Sequence, residues 1–483
     1  MTVMLNTPDD FNLETVRRVA WQGEPVSFGP DAIATMTRAR AAFLNLLEKE
    51  PGLHIYGVTT WYGDGASKIL SREDQQKLAK NPSTIISTGM GPHLPARAVR
   101  AMIFTRMINY VAGRTGISLT SAKRICAMLD GRPLPEMPVM GQDSPGELLQ
   151  LLSLFHTVRD DQCEVRDQNG MSNGSGCAPG LLADTALRAR RLARLMTRVF
   201  ALSIDAAGLN MDPWDPALKP LIVDRHEQEA IDLLNASLAG IETTGRRTWQ
   251  PPISWRILTR MIGHVLRTVG HAEEMAKTAL LAVNDNPTFF YAEESPPNGR
   301  VVSTGGFHVP YAYHSMNGLS AAWAEMCVLA ARESAQLHKH SVTGLPENLW
   351  VGGTRFSTRQ MIVPAHDIAS RARAFAIPAL IPLHGGSDGQ TDTAMPLFEA
   401  YEKETKAGEH LGLCMAILAA SASQALHVAG REPAPPLRPF LAEVRDHFPP
   451  VTSARNLGAD TERLAVGFSD AIVNKSDDFG FSA

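Results

Sequence analysis

Apolar residues recur at three- and four-residue spacing along most of this chain, the mark of helices that bury one face. Residues 31–50 carry the pattern in Ile33, Met36, Phe43, Leu44 and Leu47, and Pro51-Gly52 ends it. A second helix is predicted over 71–80, with Ser71 as N-cap and Asp74 closing a capping box. The pattern returns at 96–112, 118–129, 148–158, 181–207, 227–238, 254–282, 312–337, 357–375 and 407–429. Loops are predicted where glycine and proline gather: 56–65, 170–180 and the break Asp212-Pro213-Trp214-Asp215-Pro216. Residues 1–30 read as a loose lead-in with one short strand. Beyond Gly430 the chain turns proline-rich, which reads as a tail or a capping segment. Strand signals are few and short, so the expected fold is mainly α, with the later long helices forming a central bundle. The expected division is an N-terminal region 1–179, a long-helix bundle 180–440 and a C-terminal tail 441–483.

Composition narrows the function class. The 483 residues are 44% hydrophobic and 20% charged, ordinary for a globular protein with a sizeable core. A net charge of −4 gives no footprint for nucleic acid. No apolar run reads as long enough to span a bilayer, so no membrane partner is expected. The start of the chain mixes Asp9, Asp10, Glu14, Arg17 and Arg18 with apolar residues and carries no signal-peptide core. Cys126, Cys163, Cys177, Cys327 and Cys414 are odd in number and scattered without metal-ligand spacing. A reduced, disulfide-free, cytoplasmic protein is the expectation.

The stretch Met137-Pro138-Val139-Met140-Gly141-Gln142-Asp143-Ser144-Pro145-Gly146-Glu147-Leu148 is the most informative. It resembles a segment of the aromatic amino acid ammonia-lyases and aminomutases, in which an Ala-Ser-Gly triad cyclises into the electrophile methylideneimidazolone (MIO). The frame is kept in Pro138, Gly141, Gly146, Glu147 and Leu148, with one residue fewer between the glycines. The triad itself reads Ser144-Pro145-Gly146. Cyclisation needs a middle residue that loses its hydroxyl and a third residue whose nitrogen attacks. Pro145 has no hydroxyl to lose. In the shifted register Asp143-Ser144-Pro145, the attacking nitrogen is a proline's and carries no N–H. No MIO is therefore expected, and no other cofactor or metal. Read alone, Ser-Pro-Gly is also an ordinary turn.

The resemblance continues in order from about residue 30 to 430. Tyr56-Gly57-Val58-Thr59-Thr60 is similar to the family's loop with the tyrosine base, although Trp61-Tyr62-Gly63 departs from Gly-Phe-Gly. Val99-Arg100-Ala101-Met102 resembles a family helix, and Ile86 falls where a histidine is expected before it. Asn173-Gly174-Ser175 resembles Asn-Gly-Thr beside the electrophile, arriving earlier than the family pattern places it. Ser254-Trp255-Arg256 resembles Ser-Leu-Arg, whose arginine grips the substrate carboxylate; Gln250 fits the same motif, and Ile253 replaces its tyrosine. A guanidinium matches a carboxylate with two parallel hydrogen bonds. Asn284-Asp285-Asn286-Pro287 matches an Asp-Asn-Pro turn. Gly305-Gly306-Phe307-His308 resembles Gly-Asn-Phe-His without the asparagine, and Gln390-Thr391-Asp392 resembles Gln-Glu-Asp without the glutamate near the amine.

The resemblance implies Tyr56 as catalytic base or acid, with Asn173, Gln250, Arg256 and Phe307 binding an amino acid or related carboxylate. It also implies an ammonia-lyase-like fold and a homotetramer whose sites draw on several subunits. Each residue has a plainer reading: Tyr56 and Asn173 as turn residues, Arg256 as a solvated arginine. Two smaller constellations stand apart from the resemblance. His338 and His340 stand two apart and do not share a helix face, which speaks against a metal site. Gly174-Ser175-Gly176-Cys177 offers a serine or a thiol nucleophile without a nucleophile-elbow spacing, and its Gly-Ser-Gly meets the formal needs of cyclisation in the wrong segment. The leading expectation is an MIO-independent enzyme of specialised metabolism, performing elimination, addition or cyclisation. The alternative is a non-catalytic scaffold or binding relative, and an ordinary MIO-dependent lyase fits the residues least.

Overall fold

The computed structural model describes residues 2–80, 88–246, 250–386 and 389–474. The predicted mainly helical architecture is what forms. In chain order, the principal helices are α1 (Pro30–Lys49), α2 (Arg72–Lys80), α3 (Ala96–Arg106), α4 (Leu119–Ala127), α5 (Leu148–Leu154), α6 (Asp167–Ser172) and α7 (Cys177–Ala206). There follow α8 (Arg225–Ser237), α9 (Leu258–Leu281), α10 (Pro310–Leu337), α11 (Ile362–Phe375), α12 (Leu397–Ala429), α13 (Arg438–His447) and α14 (Leu457–Asn474). The strands are three or four residues each and pair only in twos: β1 (Val3–Leu5) with β2 (Val26–Phe28), β3 (Met90–His93) with β4 (Pro138–Met140), β5 (Thr288–Phe290) with β6 (Arg300–Val302), and β7 (Leu383–Gly386) with β8 (Thr391–Thr393).

The chain forms two compact units. The first comprises residues 1–187, 272–316 and 379–402; the second comprises 188–271, 317–378 and 403–483. In the first unit Phe43, Leu46, Ile55, Val58 and Phe289 make one buried cluster. It fixes the segment after α1, because Ile55 and Val58 point inward from either side of Tyr56-Gly57. The pair β3–β4 is antiparallel, with Met90 opposite Met140 and His93 opposite Pro138, and it delivers the chain into the Gly141–Glu147 turn. The second unit is organised around buried polar anchors. Ser203 donates to Glu333 and receives the Trp255 indole N–H at 2.9 Å. Glu404 receives the Trp323 indole at 2.8 Å and pairs with Arg188.

Four differences from the sequence reading have physical causes. α7 starts at Cys177, inside the expected Gly-rich loop, because its first N–H groups are capped by Glu147, thirty positions earlier in the chain. α12 begins ten residues before the predicted start at 407. Beyond Gly430 the proline-rich stretch carries α13 and α14, whose Phe440 and Phe468 rings stack at 6.0 Å. Finally, α12 is long and apolar enough to cross a membrane, with a mean hydropathy of 1.6 over its best window. That corrects the expectation that no run reaches such a length. Since 78% of that window is buried within the chain, the apolar run is accounted for as a core helix.

Candidate active site

The Tyr56 loop, the altered triad and the Asn173 turn lie in the first unit and are joined by a continuous set of contacts. Gly57 has φ +66°, and a Cβ there would lie 2.2 Å from the Tyr62 ring and 2.7 Å from Asn169 Nδ2, so only glycine fits. This lets the Tyr56 carbonyl receive the Asn169 amide at 3.3 Å. The Tyr56 hydroxyl accepts the Gly63 N–H at 3.0 Å, which fixes its oxygen and leaves its own proton available. Tyr62 packs edge-on against Tyr56 with ring centroids 5.7 Å apart. Burial pushes the Tyr62 hydroxyl up to about 12, against the opposing pull of Arg159 and Arg166, so Tyr62 is a neutral hydrogen-bond donor at ordinary pH.

Asn169 belongs to α6, and its carbonyl receives the Asn173 N–H at 3.0 Å. Asn173 in turn accepts the Gly174 N–H on its side-chain oxygen at 3.0 Å, just before Ser175. Beneath this turn, Asp285 is paired with Arg106 at 3.1 Å and with Arg166 at 3.3 Å, all three fully buried. Ser175 N–H donates to the Asn284 carbonyl at 2.7 Å, so the Asn284–Pro287 turn supports the Asn173 turn directly.

Glu147 links the altered triad to this assembly. Its carboxylate accepts the Ser175 hydroxyl at 2.6 Å and the N–H groups of Gly176, Cys177 and Ala178 at 2.7, 2.5 and 2.7 Å. Burial pushes the Glu147 carboxyl up, and the four donors pull it back toward the charged form. The turn itself is tied by the Ser144 hydroxyl to Gln150 Oε1 at 3.1 Å and by the Ser144 carbonyl, which receives the Met395 N–H at 3.3 Å. Gly146 has φ +64° and lies against Phe307, whose ring would meet a Cβ there at 3.0 Å. The Phe307 side chain thus covers the turn.

These residues do not fit the self-made electrophile. Pro145 stands in the middle of the turn, and in the shifted register its ring nitrogen would have to attack. The other Gly-Ser-Gly, at 174–176, has its serine hydroxyl and its Gly176 nitrogen both engaged by Glu147. Cys177 is fully buried and its thiol is pushed well up by burial and by Glu147, which removes it as a thiolate nucleophile.

Gln250 and Arg256 lie in the second unit. Both are exposed, and among the described residues neither side chain makes a hydrogen bond or ion pair. Ile253, in the position of the family tyrosine, is 68% exposed. Ile86 lies outside the described residues. Arg100, in the resembling helix, donates to the Val19 and Leu129 carbonyls at 2.7 and 3.1 Å, a structural role. His338 uses both ring nitrogens, on the Ser334 carbonyl and the Thr358 hydroxyl, and so has no free lone pair for a metal.

The model of the aromatic amino acid lyase family matches residues 11–159 and 157–446 of this chain. The chain belongs to the aromatic amino acid lyase family. Among curated relatives, it is 25% identical over 470 residues to a histidine ammonia-lyase of Burkholderia mallei, with 91% of each chain covered. Among solved structures it resembles phenylalanine aminomutase of Pantoea agglomerans (TM-score 0.87, 20% identity, 98% and 99% of the two chains). It also resembles the ergothioneine-degrading enzyme ergothionase of Treponema denticola (TM-score 0.86, 16% identity, 99% and 100%). These likenesses bear out the expected ammonia-lyase fold. Three residues of this candidate site were not assigned from sequence. Asn169 and Tyr62 gave no signal beyond their place near the motifs. Glu147 was visible as part of the frame, but its partners at 175–178 were not.

Proposed function

We propose that this protein is a lyase acting on an amino acid or an amino-acid-derived carboxylate without the MIO group. The observation that carries the reading is Pro145 in the middle of a turn whose surroundings are otherwise held in place by Glu147, Phe307 and the Asn173 turn. Without an enzyme-borne electrophile, the substrate must bring its own activation, either a better leaving group or a more acidic proton. Elimination then runs in one balanced step. Tyr56, in its phenolate form, takes the carbon-bound proton and becomes the phenol, the C–H pair becomes the new double bond, and the amine leaves with the pair of the C–N bond. Addition is the reverse, and cyclisation is the variant in which the nucleophile is tethered. Asn173 and Gln250 would orient the substrate, Phe307 would line the pocket, and Arg256 would clamp the carboxylate from a neighbouring copy in a homotetramer. The exposed, uncommitted guanidinium of Arg256 favours a carboxylate from outside its own chain. Ergothioneine, the compound named for the Treponema denticola relative, is a betaine, and a quaternary ammonium group is a good leaving group because it would depart as a neutral amine. Substrates of that type, in specialised metabolism, are the first to assay.

The denatured intact mass tests the reading. A mass equal to the unmodified chain is expected, and a mass short by two waters overturns it. With a turned-over substrate in hand, Tyr56→Phe is expected to lower kcat at least about 100-fold, and Arg256→Ala to raise KM. The second reading is a non-catalytic relative. It is favoured by the bond from Gly63 N–H, which already gives the Tyr56 hydroxyl a structural task. It predicts no turnover of any carboxylate and a Tyr56→Phe effect confined to stability.

A further inference from the structure

Trp255 stands between Ser254 and Arg256, where the resembled motif has leucine, and the roles above make no use of its ring nitrogen. A leucine there could only pack, whereas an indole packs and also donates. Trp255 is fully buried, and its indole N–H reaches the Ser203 hydroxyl of α7 at 2.9 Å. Ser203 in turn donates to Glu333 of α10 at 2.5 Å. Ser203 and Glu333 are fully buried as well, so water does not compete for these bonds. Burial pushes the Glu333 carboxyl well above the usual carboxylate range, so the relay ends on a neutral acid and strands no charge. Two residues further along α7, Asp205 makes a second anchor. It receives the Arg246 guanidinium and the Ala434 N–H, both at 2.6 Å, and pairs with Arg431 at 2.5 Å. In the sequence, Arg246 and Trp255 stand on either side of Gln250. Both are tied to the last turns of α7, while Gln250 and Arg256 are exposed.

We propose that Trp255 is a positioning residue for the carboxylate clamp: through Ser203 and Glu333 it fixes the Ile253–Arg256 turn that carries Arg256. The assignment rests on the reading of Arg256 as the clamp and adds what holds the clamp in register. Two parallel hydrogen bonds to a carboxylate ask for a set direction as well as reach. A long side chain also loses rotamer freedom when it binds, and a backbone fixed in advance removes part of that ordering cost. The relay holds the backbone at 255 and leaves the side chain at 256 free to meet a ligand. Trp255 itself, fully buried, touches no substrate.

Calorimetric titration of the assembled protein tests this with paired probes: phenylpropionate, hydroxyphenylpropionate and imidazolepropionate, each beside its primary amide. The ring is common to a pair, so the ratio of the two affinities isolates the contact with the carboxylate. The wild type is expected to prefer the carboxylate by about tenfold, and Arg256→Ala to lose that preference. Trp255→Phe deletes the N–H and keeps a buried ring; Ser203→Ala deletes its acceptor. Each is expected to bring the ratio close to one while the amide binds as before. In an Arg256→Ala background, Trp255→Phe should have nothing left to change. A Trp255→Phe protein that keeps the full ratio overturns the assignment and leaves the clamp standing. So does equal loss of carboxylate and amide binding, which marks a merely structural role, or a Trp255→Phe effect on the ratio that persists without Arg256. If Trp255→Phe does not fold, the ratio in Ser203→Ala decides in the same way. A wild type without the preference, or an Arg256→Ala protein that keeps it, overturns the clamp itself, and this assignment with it.

Discussion

Glu147 is the residue on which the local geometry turns. One buried carboxylate satisfies a hydroxyl and three N–H groups at the start of a thirty-residue helix. Replacing it with glutamine keeps the shape but sets an NH2 group against N–H donors. Glu147→Gln is therefore expected to lower stability by about 2–4 kcal/mol, read as a shift in the denaturant midpoint at unchanged slope. The sequence shows Glu147 only as a frame residue, since nothing local pairs position 147 with positions 175–178. By contrast, Tyr56, Asn173 and Phe307 stand out in the sequence through short runs that resemble family motifs, each of which is contiguous in the chain.

At the scale of elements, most helices were legible, because α1, α2, α4 and α8 carry their own caps, breakers and apolar spacing. Ser118 and Asp224 accept N–H groups of the helices they precede, as N-cap residues do. What was missed has no local signal. α13 and α14 lie in a proline-rich stretch whose prolines sit before or at the first turn, where they are tolerated. The end of α10 carries a pH effect of its own. His338 is buried, and burial holds it down at about 4, against an ordinary value of 6.5. The unfolded chain takes up the proton first as pH falls, so its contribution is present above pH 6.5 and lost progressively down to about 4. The loss is on the order of 3 kcal/mol. His338→Gln cannot titrate, and its stability is expected to change less than the wild type's across that window, as measured by denaturation at each pH.

For the whole molecule, several large apolar residues are left on the surface of the single chain, among them Leu383 at 96% and Val363 at 71% exposure. Native mass spectrometry is expected to find tetramers of the 52.4-kDa chain, and charge placed at these positions, Leu383→Glu or Val363→Glu, to shift the population toward smaller species. The Ser144–Gly146 turn has a consequence at the same scale. Its supports, Gly146 against Phe307 and Glu147 on the start of α7, do not depend on Pro145, the residue that stands against cyclisation. Ser144→Ala together with Pro145→Ser would write Ala-Ser-Gly into a loop one residue shorter than the family's. Within this loop alone, two substitutions and one insertion stand between the chain's Ser-Pro-Gly and the family's Ala-Ser-Gly triad.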